Sequence, residues 1–198
     1  MKKLYSLSII VISLCALNAN KAQAQLVVDT AVSVNTMMDD FFANTCVSIS
    51  NVTYTGAPVS VGFFDASGTN LGINAGFMMT SGSVYNAIGP NNDGSITMHN
   101  NTSGDADLDA LAGFTTYDAC IIEMDIIPTL DTLYFKYAFG SEEYSEWVGT
   151  SFNDVFAFYV SGPGITGEQN IAVVPGNNDP VSVNSINCVN ANQAYYMC

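Results

Sequence analysis

The sequence predicts an all-β fold, a two-sheet β-sandwich of jelly-roll type with long polar loops. Short apolar runs with period-two alternation recur along the chain, turns rich in Gly, Pro and Asn separate them, and nothing repeats at a fixed period. The most informative runs, residues 133–139 and 154–160, carry aromatic residues on both faces. Strands of that kind are covered on both sides. We therefore expect these two runs to form a hairpin-like central pair.

The first 24 residues have the pattern of a secretory signal peptide. Lys2 and Lys3 precede a mostly apolar run over residues 4–17, and Ala22-Gln23-Ala24 is an A-x-A cleavage site. The apolar run is too short to span a membrane. Lipidation at Cys15 is an alternative, which the bulky residue before it disfavours. We expect a protein that is secreted or held at the cell surface.

Residues 25–198 have the length of one domain with a sizeable core. Lys136 is the only base after residue 24 and faces all 18 acids, so the formal charge is about −17. Nucleic acid is excluded as a partner, because binding it requires cationic side chains that neutralise phosphate. Anionic surfaces are disfavoured unless divalent cations bridge the two charges.

Four cysteines remain after the signal peptide, at positions 46, 120, 188 and 198. Export permits disulfides. Four cysteines allow three pairings, and the sequence does not choose among them.

The elements outside the central pair follow from local patterns. Residues 32–42 fit either a short helix or a strand followed by a turn. Pro128 ends the last strand before the central pair, and a turn at residues 175–178 separates the last two strands of the chain. These outer strands are predicted at residues 47–54, 59–64, 76–81, 119–127, 170–174 and 181–186.

The connection inside the central pair is acidic. It holds Glu142, Glu143, Glu146, Asn153 and Asp154. Carboxylate and amide oxygens on flexible loops are the ligands that calcium takes, so four of these residues, Glu142, Glu143, Asn153 and Asp154, form a candidate calcium site. The alternative is an acidic loop that simply faces water.

The only tryptophan, Trp147, lies in the same loop. It is either an anchor packed against the protein or an exposed stacking surface for a ligand, and the usual burial of tryptophan favours packing.

A second acidic motif lies in the long polar loop of residues 86–113. Asp105, Asp107 and Asp109 alternate like the first half of an EF-hand loop, but Ala110 and Thr116 occupy the positions that need glycine and glutamate. An EF-hand is therefore excluded. Two alternatives remain, a helix whose N-cap is Asp105 and a metal site of another kind that uses Asp105 and Asp107.

Several motifs in a fixed order resemble those of the choice-of-anchor L family, from about residue 31 to the end. The most specific are Phe139-Gly140-Ser141-Glu142-Glu143-Tyr144 and Phe152-Asn153-Asp154-Val155-Phe156. The resemblance implies a surface module of Bacteroidetes-type and related bacteria, found beside varied C-terminal anchors, with no defined activity. It also implies that residues 25–198 are a domain truncated at its C-terminus.

We expect a non-enzymatic adhesion or ligand-binding module whose loops calcium stabilises, with a glycan or a protein as partner. One alternative is a carbohydrate-binding module with Trp147 and tyrosines in a groove. A less favoured one is a glycoside hydrolase that pairs Glu142 or Glu143 with Glu123. Fold analogy alone does not establish such an activity.

Overall fold

The computed structural model describes residues 26–189 and 191–197. The predicted signal peptide, Cys15 and Cys198 lie outside these residues. The regular elements of the described chain are mostly strands with few helices, in agreement with the all-β prediction. Its strands are β1 (Val27–Asp29), β2 (Val47–Thr55), β3 (Val61–Asp65), β4 (Ala75–Met79), β5 (Ile121–Pro128), β6 (Val155–Phe156), β7 (Tyr159–Val160), β8 (Gln169–Asn170) and β9 (Val181–Ser182). Its helices are α1 (Val34–Phe42) and α2 (Ala106–Ala112), with short 3₁₀ helices at Pro58–Ser60, Val84–Ile88 and Gln193–Tyr195.

Helix α1 confirms the helical interpretation of residues 32–42. Ser33 caps it, because the Ser33 hydroxyl accepts a hydrogen bond from the Thr36 amide at 3.3 Å. Met37, Met38 and Phe42 recur at helical spacing and are buried. The helix therefore supplies one side of the hydrophobic core.

The strands form one three-stranded sheet, in the order β1-β3-β4, and three two-stranded sheets, β2-β5, β6-β9 and β7-β8. All of the pairings are antiparallel. Residues from β2 and β5 and residues from β3 and β4 pack against the same buried cluster of Met37, Met38, Phe42 and Val61. The core thus lies where two sheets meet around α1.

The prediction of a strand at residues 133–139 is wrong. The structure gives these residues no regular secondary structure, and residues 127–138 are all exposed. The run that follows the acidic loop is divided into β6 and β7, which pair with different strands, β9 and β8. Alternation of side chains favours an extended chain, but a strand also needs a neighbour for its hydrogen bonds.

The two runs nevertheless lie side by side. The Phe135 and Phe158 ring centroids are 4.8 Å apart, and those of Tyr137 and Phe156 are 5.3 Å apart. Residues two apart on one run meet residues two apart on the other in reverse order, as in an antiparallel pair. The two runs that were predicted to be neighbours therefore touch through aromatic rings and not through a ladder of backbone hydrogen bonds.

Cys46 and Cys188 are exposed, Cys120 is half-buried, and all three are free thiols in the described residues. Cys198 lies outside the description, so pairings that involve it stay predictions.

Candidate functional site

The acidic loop, defined here as residues 140–154, is built mostly of turns and leads directly into β6. Glu142, Glu143, Asn153 and Asp154 are half-buried, whereas Glu146 is exposed. The predicted site residues from the two ends of the loop are thus brought into one neighbourhood.

Ser141 joins the two ends of the loop. Its hydroxyl donates a hydrogen bond to Asp154 Oδ2 at 2.8 Å and accepts one from the Glu143 amide at 3.1 Å. The Asp154 amide in turn donates to Glu143 Oε2 at 3.4 Å. Each carboxylate is therefore held by a group on the opposite end of the loop.

Burial, together with the neighbouring negative charges, raises the pKa of both glutamates. Burial raises the pKa of Glu143 to about 7, and the negative charges of Asp154 and Glu142 add to the effect. Burial and the Asp154 charge also raise the pKa of Glu142. The Glu143 carboxyl, with a pKa of about 7, is therefore partly protonated near neutral pH.

Asn153 and Asp154 also fasten the loop to the segment after β9. The Asn184 amide donates to the Asn153 side-chain oxygen at 2.8 Å, and the Val183 amide donates to the Asp154 carbonyl at 3.1 Å. The Asn153 oxygen, predicted as a neutral calcium ligand, thus already accepts a backbone hydrogen bond.

Asn184 is the residue that sequence reasoning missed as part of this site. Its side chain accepts from the Gly149 amide at 2.6 Å and donates to the Thr150 carbonyl at 3.0 Å. It lies in one of the motifs that carry the family resemblance, Pro180-Val181-Ser182-Val183-Asn184. That position was the only sequence signal that could have identified it.

Trp147 anchors the loop on its outer side, as the burial argument predicts. Its indole N–H donates to the Gly94 carbonyl at 2.9 Å, and its ring lies 4.9 Å from that of Phe152. Half-buried in this way, Trp147 does not offer the open ring face that the stacking alternative requires.

The second acidic motif is a helix start. Asp105 is the N-cap of α2, and its Oδ1 accepts from the amides of Asp107 and Leu108 at 3.0 and 3.1 Å. The carboxylate of Asp109 accepts hydrogen bonds from Thr116, which lower its pKa. The capping alternative is therefore confirmed. Within residues 26–189 and 191–197, no three or more His, Cys, Asp or Glu side chains converge as a metal would require.

A shallow cavity lies apart from the acidic loop. Its volume is about 290 Å³, and its lining residues are His99, Asn101, Thr102, Tyr117 and Asp118. Tyr117 is 73% exposed and presents its ring to solvent, whereas Asp118 is buried.

Although burial opposes it, hydrogen bonds to the buried Asp118 carboxylate lower its pKa. The donors are the Thr102 amide at 2.7 Å, the Thr102 hydroxyl at 3.1 Å and the Asn100 amide at 3.1 Å. The floor of the cavity is therefore fixed, with a carboxylate held in its ionised form.

The comparison with protein-family models matches the choice-of-anchor L domain over residues 26–198. The chain belongs to the choice-of-anchor L family. Membership indicates a secreted or surface-associated module. No curated protein and no solved structure matches this choice-of-anchor L chain. In the part of the chain that the structure describes, no helix has the length and apolar character needed to cross a membrane.

Proposed function

We propose that this choice-of-anchor L domain is a non-enzymatic adhesion module that binds an extracellular ligand through residues 127–138. One observation carries the proposal: this whole run is exposed although it contains six large apolar or aromatic side chains. They are Ile127, Leu130, Leu133, Tyr134, Phe135 and Tyr137. Contiguous exposed apolar surface marks interaction sites, whereas isolated apolar residues do not.

The high negative charge supports the same proposal. A formal charge of about −17 after residue 24 keeps a chain with an exposed apolar run dispersed in solution. It also selects against anionic partners. A protein ligand with basic and apolar residues is the partner that this surface favours.

Hydrogen bonds within the acidic loop support a structural role for its carboxylates. Those of Glu143 and Asp154 hold the two ends of the loop together. Glu123, the proposed catalytic partner of the enzyme alternative, accepts a hydrogen bond from Thr53 on the β2-β5 sheet. We infer that the acidic loop positions the surface run and performs no chemistry.

Calcium is part of this proposal on grounds of charge. Half-buried carboxylates with raised pKa values repel one another, and a divalent cation relieves that repulsion as a proton does. The contact of two sheets with one core around α1 supports the predicted sandwich as the scaffold.

The test measures binding of the purified domain to immobilised fibronectin and collagen. A Leu130→Ser, Tyr134→Ser variant removes two side chains that are 62% and 89% exposed, so it keeps the fold. We expect it to weaken binding by about tenfold or more, as loss of central apolar anchors does. Tyr195→Ser, which alters a tyrosine that is 51% exposed and lies outside both candidate sites, is the matched control. Equal binding by all three proteins would contradict the proposal.

The cavity near Tyr117 supports a second candidate, a carbohydrate-binding module. An exposed aromatic ring beside His99, Asn101 and Thr102 combines an apolar face with hydrogen-bonding groups, as ligand sites do. Here Tyr117→Ala should abolish binding to a panel of neutral oligosaccharides, with Tyr134→Ala as the control. Retained binding by Tyr117→Ala would exclude this cavity as the sugar site.

A further inference from the structure

The backbone of residues 130–140, called here the unpaired segment, has no hydrogen bonds within the described part of the chain. The last backbone bond before it runs from the Thr129 amide to the Cys46 carbonyl at 2.9 Å. The next element, the acidic loop, bonds within itself and to the segment after β9. The amides and carbonyls of the unpaired segment therefore have no protein partner among the described residues, and nearly all of its residues are exposed.

The unpaired segment is also extended where its contacts define it. Phe135 turns its ring to Phe158, the residue before β7, and Tyr137 turns its ring to Phe156 on β6. Between them, Lys136 reaches elsewhere, and its ammonium donates to the Gly72 carbonyl at 2.6 Å. Side chains that alternate in direction in this way define a strand-like backbone.

The segment thus has the two properties of a sheet edge. Its backbone presents a row of donors and acceptors without partners in residues 26–189 and 191–197, and alternate side chains are fixed on the protein. Such an edge is a template for pairing with another strand. Added strands obtain affinity from the main-chain bonds and specificity from alternate side chains.

The charges around the unpaired segment decide which kind of partner strand can pair with it. Asp131 lies near one end of the unpaired segment, and Glu142 and Glu143 follow the other end. The one base among these residues, Lys136, is directed to Gly72. A second copy of this chain would bring another charge of about −17 to the same place, which is repulsive.

We propose that residues 130–140 accept a β-strand from another protein, one whose apolar residues alternate and whose ends carry Lys or Arg. This inference rests on the proposed function and deepens it, since it states how the surface run engages a partner. The main chain of the unpaired segment supplies the hydrogen bonds, and the acids at its two ends receive the basic residues.

The probe is a capped peptide of about ten residues with alternating Val and Thr and a Lys at each end. We expect the peptide to slow hydrogen exchange of the amides in residues 130–140 by about tenfold or more. A peptide with Glu in place of Lys should bind at least about tenfold more weakly at low salt, and this difference should shrink as salt is added.

Two variants at one position separate backbone recognition from side-chain recognition. Thr132→Pro removes a backbone N–H at an exposed residue of the segment, so it should weaken peptide binding by about tenfold. Thr132→Ala keeps that N–H and should stay within about twofold of the natural protein.

The results that would contradict strand addition differ from those that would contradict the adhesive function. The proposal is wrong if the Lys peptide leaves exchange in residues 130–140 unchanged, or if Thr132→Pro and Thr132→Ala bind it equally. It is also wrong if, at low salt and without peptide, the segment becomes protected by concentration-dependent dimerisation. If fibronectin or collagen binding survives Thr132→Pro but is lost in the Leu130→Ser, Tyr134→Ser variant, strand addition fails and the adhesive function stands.

Discussion

Asn184 shows how single residues hold the acidic loop in place. Its backbone amide, side-chain oxygen and side-chain nitrogen contact Asn153, Gly149 and Thr150 respectively. One residue after β9, through its backbone and its side chain, therefore fixes both the turn and the end of the loop. Hydrogen bonds of this kind are individually modest but costly to leave unmade where the groups are half-buried. The acids themselves are held by the Ser141 hydroxyl and the Asp154 backbone amide.

At Glu143 the raised pKa makes stability depend on pH. The folded state binds its proton at about pH 7, whereas an unfolded glutamate releases it near the ordinary value of 4.5. Between these values the folded state holds more protons, so stability falls as pH rises. We expect the melting midpoint to be higher at about pH 5.5 than at about pH 7.5.

Glu143→Gln should reduce this difference and stabilise the domain at neutral pH. Glutamine has no charge to desolvate and keeps an oxygen for the Asp154 amide. Glu168→Gln, at an exposed glutamate outside the loop, is the matched control. Thermal unfolding followed by circular dichroism across this pH range gives the answer. An unchanged pH profile in Glu143→Gln would show that other groups cause the dependence.

Calcium should act on the same carboxylates. At about pH 7.5 we expect added calcium to raise the melting midpoint, since a ligand of the folded state stabilises it by mass action. At about pH 5.5 the rise should be smaller, because a proton already neutralises Glu143.

Glu142→Ala combined with Asp154→Ala should abolish the calcium effect, and magnesium chloride at equal concentration controls for ionic strength. If the double variant responds to calcium as the natural chain does, the ion binds elsewhere. If chelator and calcium give the same midpoint for the natural chain, these acids are a solvated structural loop.

At the scale of elements, β2 keeps its apolar side chains on the core although its period-two alternation is interrupted. Its half-buried positions are Val47 and Ile49 before Asn51, then Val52 and Tyr54 after it. The parity changes at Asn51, where the register with β5 shifts and φ is +53°. This bulge absorbs one residue, so both halves of the strand keep their apolar side chains on the core.

The bulge requires a residue that tolerates a positive φ. Asn51→Val should lower the free energy of unfolding by about 1–3 kcal/mol, because a β-branched side chain is strained there. Asn51→Gly keeps the conformation and controls for loss of the side-chain bond to Asp125, which is 2.6 Å long. Urea unfolding measures both. Equal stability of the valine and glycine variants would mean that the bulge relaxes at no cost.

Local elements were predictable from the sequence where local chemistry decides them. The strands β2 to β5, the cap of α2 and the anchoring of Trp147 follow from alternation, an Asp at a helix start and the usual burial of tryptophan. The predicted site residues Glu142, Glu143, Asn153 and Asp154 lie near one another because they flank a single connection, and their binding of calcium stays a prediction.

Long-range pairing was not predictable in the same way. Residues 133–139 have the alternation of a strand, yet whether a strand forms depends on a neighbour that no local pattern specifies. The same reason explains why predicted strands at residues 170–174 and 181–186 are reduced to β8 and β9. Asn184 was missed because a lone amide on a loop has no signature until its partners are known.

For the whole molecule, charge is the dominant feature. After residue 24 the chain has one lysine and 18 acids, and the acids are spread over the loops and strand faces. Repulsion among them opposes the compact state more than it opposes the expanded one. The exposed apolar run at residues 127–138 is tolerated in solution for the same reason, because like-charged copies avoid one another.

Monovalent salt should therefore stabilise the domain of residues 25–198. Between about 0.01 M and about 0.5 M sodium chloride, screening shortens from roughly 30 Å to a few Å, so repulsion between acids on different loops is largely removed. We expect the melting midpoint to rise by about 3–5 °C. Potassium chloride should give the same rise, which separates screening from binding of a particular ion.

Salt should also weaken the attraction to the Lys-ended peptide and promote self-association through residues 127–138, measured by analytical ultracentrifugation. A midpoint that is constant or falls with salt would show that the acids are already compensated in the folded state, and the charge argument for a basic partner strand would then lose its basis.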